Sequence, residues 1–330
     1  MNKNRGTQLA HGAICTALTV VLMLLARYLP VFSVVSVLLT GLPVIFLGTR
    51  YGGRLSGISL IASVLVLALV MGDFLSAILL GVLNLLPGFA IGYAFSHRKG
   101  YRGAVILGSG MVLLGLLVQL MVVNLLSNGN GLAELVNETM AGVEMVLNQA
   151  FSGMEGANQQ EMLASVTGLL QTAKERFFLY LPTMLIALSA MIGYATVSVG
   201  IFMLKRLHIK RISYRKFSEI IAPRSACFLS VILSMLVLFV GESSVFAAGI
   251  LNLSMLLELF LAVCGLSLVD AKLSEKISSG YGRAGIYLGI SVVAYVLLGM
   301  LLQVLSLLGM IDGLFGFRWY KVGENHGKED

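Results

Sequence analysis

Charge is scarce in this sequence. Asp, Glu, Lys and Arg make up 12% of its 330 residues, against 58% hydrophobic ones. A water-soluble domain carries about a quarter charged residues, so these side chains cannot clothe a soluble globule. Cysteine is scarce too: Cys15, Cys227 and Cys264 lie in separate apolar runs, with neither disulfide-framework nor metal spacing. They read as small packing residues. The four histidines (His11, His97, His208, His326) are far apart. No H-E-x-x-H, C-x-x-C or G-x-S-x-G occurs, and no apolar run carries two carboxylates within one turn. These absences argue against an intramembrane hydrolase and against a metal site. Without G-x-x-x-x-G-K-[ST], any ATP-driven work falls to a partner. The chain is expected to be no enzyme and to need no cofactor.

Long apolar runs are what the sequence has in place of charge. Mean hydropathy is +0.92. Several runs reach or approach the roughly 20 residues that cross ~30 Å of hydrocarbon, and they do not alternate in polarity as barrel strands would. The expected fold is all-α: a polytopic membrane helix bundle with an outer helical hairpin insertion. Spans are expected near 8–28, 34–49, 55–72, 74–96, 103–127, 178–204, 225–241, 245–269 and 283–309. Nine spans put the C-terminus outside. Eight remain open, because FRWYK (317–321) looks like an inner-surface anchor. The first run reads as a retained span rather than a cleavable signal.

The stretch LPVIFLGTRYGGRLSG (42–57) interleaves Gly48, Gly52, Gly53 and Gly57 with Arg50 and Arg54. Merging its two flanking spans would put both arginines at mid-membrane, at a cost of at least ~2.5 kcal/mol each. Two short spans joined by a turn at the headgroups cost less. No strand, helix start and Lys-Ser/Thr pair frame a phosphate loop here.

Basic residues alternate with the spans. With the N-terminus inside, the inner segments carry 17 of the 23 Lys and Arg residues, the pattern that sets orientation in a bacterial plasma membrane. This distribution favours membrane lipid, not nucleic acid, as the reason for the +7 net charge.

Three domains are expected. Residues 1–206 form a six-span domain that includes the outer hairpin at 128–177. Residues 207–224 form a basic cytoplasmic linker, and 225–330 a two- or three-span segment with its tail. The insertion is acidic: Glu134, Glu138, Glu144, Glu155, Glu161 and Glu175 against Lys174 and Arg176 leave 6 − 2 = 4 negative charges. Its apolar residues recur at helical spacing on both sides of SGMEGAN (152–158), where Asn158 and Glu161 have capping-box spacing. That apolar stripe must bury against the membrane domain, the bilayer surface or another chain. The linker KRLHIKRISYRKFSEIIAPR (205–224) is suited to anionic lipid or acts as orientation signal.

Polar residues inside the spans are few, and each is a candidate. Glu258 lies near the centre of LNLSMLLELFLAVCG (251–265), and an ionisable group at that depth is a functional hypothesis by default. A buried structural contact is its other reading. Asn84 precedes Pro87 by one turn in VLNLLPG, where proline removes a backbone donor and frees a carbonyl. Gln119 and Asn124 lie on the fifth span, and Gln303 lies near the end. Ala13 and Ala17 stand one turn apart on the first span, flanked by Gly12 and Thr16, a small-residue face that lets another helix approach.

LARYLPVFS (25–33), LPVIFLGTRYGGRLSG (42–57), LLPGFAIGYAFSHRK (85–99) and LLGMIDGLFGFR (307–318) resemble the YybS-like family of bacterial membrane proteins over nearly the whole chain. Its first six spans resemble the substrate-binding component of energy-coupling-factor vitamin transporters. That resemblance implies that Ala13 and Ala17 match the A-x-x-x-A face that docks a transmembrane coupling protein with its ATPases. It also implies an outer-facing ligand site among the later front-half helices; in this chain Asn84, Gln119 and Asn124 are the candidates for its polar lining. The insertion at 128–177 and the back half have no counterpart in that pattern. Two functions stay open: the substrate-binding subunit of a small-molecule uptake system, or a scaffold that docks partners through the hairpin and linker. A proton-coupled carrier using Glu258 is a third.

Overall fold

The computed structural model describes residues 3–29, 36–151, 157–209, 217–239, 245–276 and 298–316. Part of the 152–158 connection, residues 210–216 of the 205–224 linker, residues 283–297 of the last expected span and the FRWYK segment fall outside the described residues. The described residues are helical apart from short turns. The α-helices named among the described residues are α1 (Lys3–Tyr28), α2 (Leu42–Tyr51), α3 (Gly53–Met71), α4 (Phe74–Ser96), α5 (Gly100–Leu126), α6 (Gly131–Phe151), α7 (Ala157–Arg206), α8 (Arg224–Phe239), α9 (Val245–Lys276) and α10 (Leu298–Phe315).

Among the described residues, six stretches are long and apolar enough to cross a membrane: Arg5–Tyr28, Gly53–Met71, Phe74–Ser96, Gly100–Leu126, Thr167–Arg206 and Phe246–Glu275. Ser36–Tyr51, Arg224–Val237 and Met300–Phe315 are shorter apolar helices. Large side chains such as Leu69, Ile106 and Phe239 point outward, as lipid-facing residues do and as a soluble surface rarely allows. The chain is therefore a polytopic helical membrane bundle. The last helix runs past the expected end at residue 309 to Phe315.

Two compact units divide the chain: Met1–Phe178 with Met184–Tyr214, and Leu179–Thr183 with Arg215–Asp330. The 50-residue α7 therefore contributes to both.

In the first unit, local signals set the helix ends. Gly52 takes φ +90° between α2 and α3, a backbone that only glycine adopts freely. Gly72 ends α3 in the left-handed conformation. The next residue, Asp73, caps α4 by accepting from the Ser76 amide at 3.1 Å and the Ser76 hydroxyl at 2.5 Å. Of the glycines in 42–57, only Gly52 makes the reversal by a positive φ. Gly48 serves close packing instead, since a Cβ there would sit 3.0 Å from the Gly92 Cα. Gly88 is tighter, 2.6 Å from the Gly41 carbonyl oxygen on the same measure. Gly41 and Gly48 thus seat α2 directly on the Gly88 and Gly92 face of α4. The stretches 42–57 and 85–99, two of the four behind the family resemblance, thus pack against each other.

This contact explains why a ten-residue helix is tolerated. Pro43, Val44, Ile45, Leu47 and Gly48 of α2 are buried by protein, so α2 need not match the bilayer alone. One core joins Ile45 to Ile91, Phe95, Ala104, Val197, Ile201 and Leu204. A second joins Met23, Val44, Leu67, Ala77 and Leu85.

The α6 stripe is covered only in part. Val136 is buried, whereas Leu135, Val143 and Val146 are exposed. α7 already begins at Ala157, so Asn158 lies inside its first turn rather than ahead of it.

In the second unit, α9 and α10 cross at two glycines. A Cβ on Gly265 would collide with the Leu305 carbonyl oxygen, and one on Gly309 with that of Leu261. Ala222, Cys227, Leu261 and Cys264 form the adjacent core. Ser267 donates to the carbonyls of Phe217 (2.7 Å) and Ile220 (2.9 Å), pinning the short 3-10 turn Phe217–Glu219 to α9.

Candidate functional site

Two clefts, one in each unit, are lined by Ala13, Ala17 and Glu258 of the candidate residues. The first is a groove of about 610 Å³ between α1 and α3, lined by Gly12, Ala13, Thr16, Ala17, Leu55 and Ser59 among others. Gly12 lets α1 close on Leu55, and the hydroxyls of Thr16 and Ser59 bond at 2.8 Å between the two helices. Ala13 and Ala17 lie on the open side and are exposed. The groove therefore has no charge and almost no free polarity. Its chemistry suits the ridge of an apolar helix and little else.

The second cleft, of about 490 Å³, lies among α8, α9 and α10. Its polar wall comes from Ser230 and Ser234 on α8, Ser254 and Glu258 on α9, and Gln303 and Ser306 on α10. Each helix contributes a pair three or four residues apart, and such neighbours share one helix face. The apolar wall is Val231, Met235, Leu307 and Met310. The Ser234 hydroxyl donates to the Ser230 carbonyl at 2.9 Å, leaving its oxygen lone pairs for other donors. Among the described residues, no side chain forms an ion pair with Glu258. Glu258 lies roughly 18 Å along the helix from the start of the span and 25 Å from its end, at 1.5 Å per residue.

The other expected site residues lie elsewhere. Asn84 is buried in the first unit, and its Nδ2 donates to the Leu80 carbonyl at 2.9 Å. Its Oδ1 is buried with no hydrogen-bond partner among the described residues. The surroundings are tightly packed: a Cβ on Gly115 of α5 would lie 3.1 Å from the Leu83 Cα. Gln119 and Asn124 are exposed on α5. The Asn124 carbonyl accepts the Gly129 amide at 2.8 Å in the turn that ends that helix. None of the three lines either cleft.

Sequence reading passed over the four cleft serines and also Asp312, which is fully buried on α10. The signal for the serines was present as polar pairs one turn apart on three successive apolar helices. It also passed over a clamp within the second unit. Asn252 Nδ2 donates to the Leu179 carbonyl at 2.8 Å, and the Thr183 hydroxyl donates to Asn252 Oδ1 at 2.8 Å, either side of Pro182. Asn252, six residues before Glu258 on α9, is thus committed to that clamp.

Fold and clefts together define an integral membrane protein with no recognisable catalytic constellation among its described residues. The chain belongs to the family described as "Predicted membrane protein (DUF2232)", whose profile matches residues 17–313. No curated protein and no solved structure matches it.

Proposed function

We propose that this protein is the solute-binding membrane subunit of a small-molecule uptake system, driven by ATPases on separate chains and joined to them by a coupling protein's transmembrane helix in the α1–α3 groove. The observation that carries this reading is the exposed Ala13–Ala17 face. Two alanines one turn apart, open to the bilayer beside Gly12 and Ser59, let a second helix approach closely at no desolvation cost.

The reading also sets the protein in a bacterial plasma membrane with its N-terminus in the cytosol. Supporting this, the basic segments of the first unit gather at one end. Tyr51 bonds His11 at 3.1 Å, Gly48 meets Gly92 near the end of α4, and Phe95, Ala104 and Leu204 share a core. Arg50, Lys99 and Arg206 sit within cation–π range of Tyr51, Tyr93 and Phe202 at that end. On this reading these cations share the cytosolic surface, in keeping with the positive-inside bias.

Affinity capture from native membranes tests the docking. Wild-type protein should retain an ATPase–coupling assembly, and Ala13→Leu combined with Ala17→Leu should lose it while remaining folded. Retention of every partner by the double variant would refute the groove's role. A scaffold that docks partners through the α6–α7 arm is the second reading. It is favoured by the exposed Leu135, Met145 and Val146 of α6. On that reading the same capture loses partners when these three are changed to Ser, and the alanine pair is indifferent.

A further inference from the structure

We propose that the α8–α10 cleft of the second unit is a binding site for a small, diffusible organic cation carrying a primary ammonium, with Glu258 as its counter-ion. This inference does not depend on what fills the α1–α3 groove.

The charge argument comes first. Glu258 sits near mid-span without an ion-pair partner among the described residues. A lone carboxylate at that depth is costly and is normally matched by a positive group or marks a substrate path. Among the described residues no group of three His, Cys, Asp or Glu side chains gathers to hold a metal ion. One negative charge is matched by one positive charge.

The shape and donor count then narrow the class. An ammonium offers three donors and no acceptor. The cleft is lined by Glu258, Ser230, Ser254, Ser306 and Gln303, whose side chains carry a carboxylate, three hydroxyls and an amide. These are acceptors in excess of three, drawn from three helices. A volume of about 490 Å³ falls within the ~300–1,000 Å³ of small-molecule sites and far exceeds the space one dehydrated ion needs. Val231, Met235, Leu307 and Met310 supply a wall for an apolar body attached to the ammonium. The depth of Glu258 separates it from the headgroup layer by more than a turn or two of helix, which argues for a diffusible amine over an aminophospholipid headgroup.

The test uses the purified full chain in phosphatidylcholine nanodiscs, which present no primary amine, titrated with n-butylamine by calorimetry. Saturable binding is expected from the amine and none from n-butanol. Glu258→Gln should weaken n-butylamine at least tenfold, and Glu258→Asp should retain part of the affinity. Gln303→Leu with Ser306→Ala keeps the acid and should weaken binding at least threefold, which covers the case in which Glu258→Gln does not fold. No saturable binding to the wild type, equal binding of butanol, or unchanged affinity in the variants would overturn the proposal. Phosphatidylethanolamine discs should leave the titration unchanged. Loss of n-butylamine binding there would assign the cleft to a lipid headgroup and overturn the diffusible ligand. No partner is present in this experiment, so its failure leaves the docking reading standing, and failure of docking leaves the cleft standing.

Discussion

The two units solve the same packing problem and then differ in what they leave open. In each, glycines bring helix backbones together: Gly41 and Gly48 against Gly88 and Gly92 in the first unit, Gly265 against Leu305 and Gly309 against Leu261 in the second. Besides its seam the first unit leaves an apolar groove between α1 and α3, whereas the second leaves a cleft with a carboxylate, an amide and four hydroxyls. In lipid the first opening costs nothing to maintain. The second is costly, because polar groups there lose their hydration. A bundle that needed only to fold would not place those groups together, so the polar opening is the stronger mark of function.

The comparison can be broken first at the seams. Gly309→Leu or Gly265→Leu drives a side chain into backbone that cannot yield, so a loss of about 3 kcal/mol and aggregation in detergent are expected by size-exclusion chromatography. Gly88→Leu should do the same to the first unit. Gly249→Ala, with open space at its Cβ, should leave the elution profile unchanged.

Next in size is the removal of the uncompensated acid. Glu258→Leu should raise the melting temperature of the unliganded protein, by up to about 2.5 kcal/mol of stability if the carboxylate is fully desolvated, while abolishing amine binding. A fall would mark Glu258 as a structural contact.

A smaller effect, about 1 kcal/mol, is expected when Asn252→Leu opens the clamp to Leu179 and Thr183. Adding Thr183→Val should cost less than its separate value, since the two side chains share one hydrogen bond. Additive losses would show that the clamp is not a unit.

The smallest effect concerns Asp73 at the surface. The Ser76 hydroxyl, and then its amide, hold the Asp73 carboxyl below its ordinary value. A depressed acid contributes stability above its unfolded-state pKa of about 3.9, lost as pH falls through the lower folded value. Wild-type protein should therefore lose slightly more stability than Asp73→Asn as pH drops below about 4, measured by thermal melts across that range.

Much of the fold was legible because lipid permits so few solutions. Runs such as 74–96 coincide with α4 because Asp73 caps the helix and the chain turns at Arg98, with φ +55°. The short α2 was legible as a span but not as a helix shielded by protein; that depends on Gly88 and Gly92, far along the chain on α4. The site was less legible. Glu258 stood out because a single charge in an apolar run is conspicuous. Ser230, Ser254 and Ser306 did not, because serine is common in such runs and gains meaning only when three helices place it on one wall. Asn84 drew attention through Pro87, yet its amide back-bonds to its own helix at Leu80.

Cysteine accessibility tests the threading of the chain most directly. With Cys15, Cys227 and Cys264 replaced by alanine, single cysteines are placed at Glu144 on α6 and His97 after α4, both exposed. A membrane-impermeant maleimide should label Glu144→Cys in intact cells and His97→Cys only after the membrane is opened. Labelling of both from one side, or of His97→Cys alone from outside, would contradict the account.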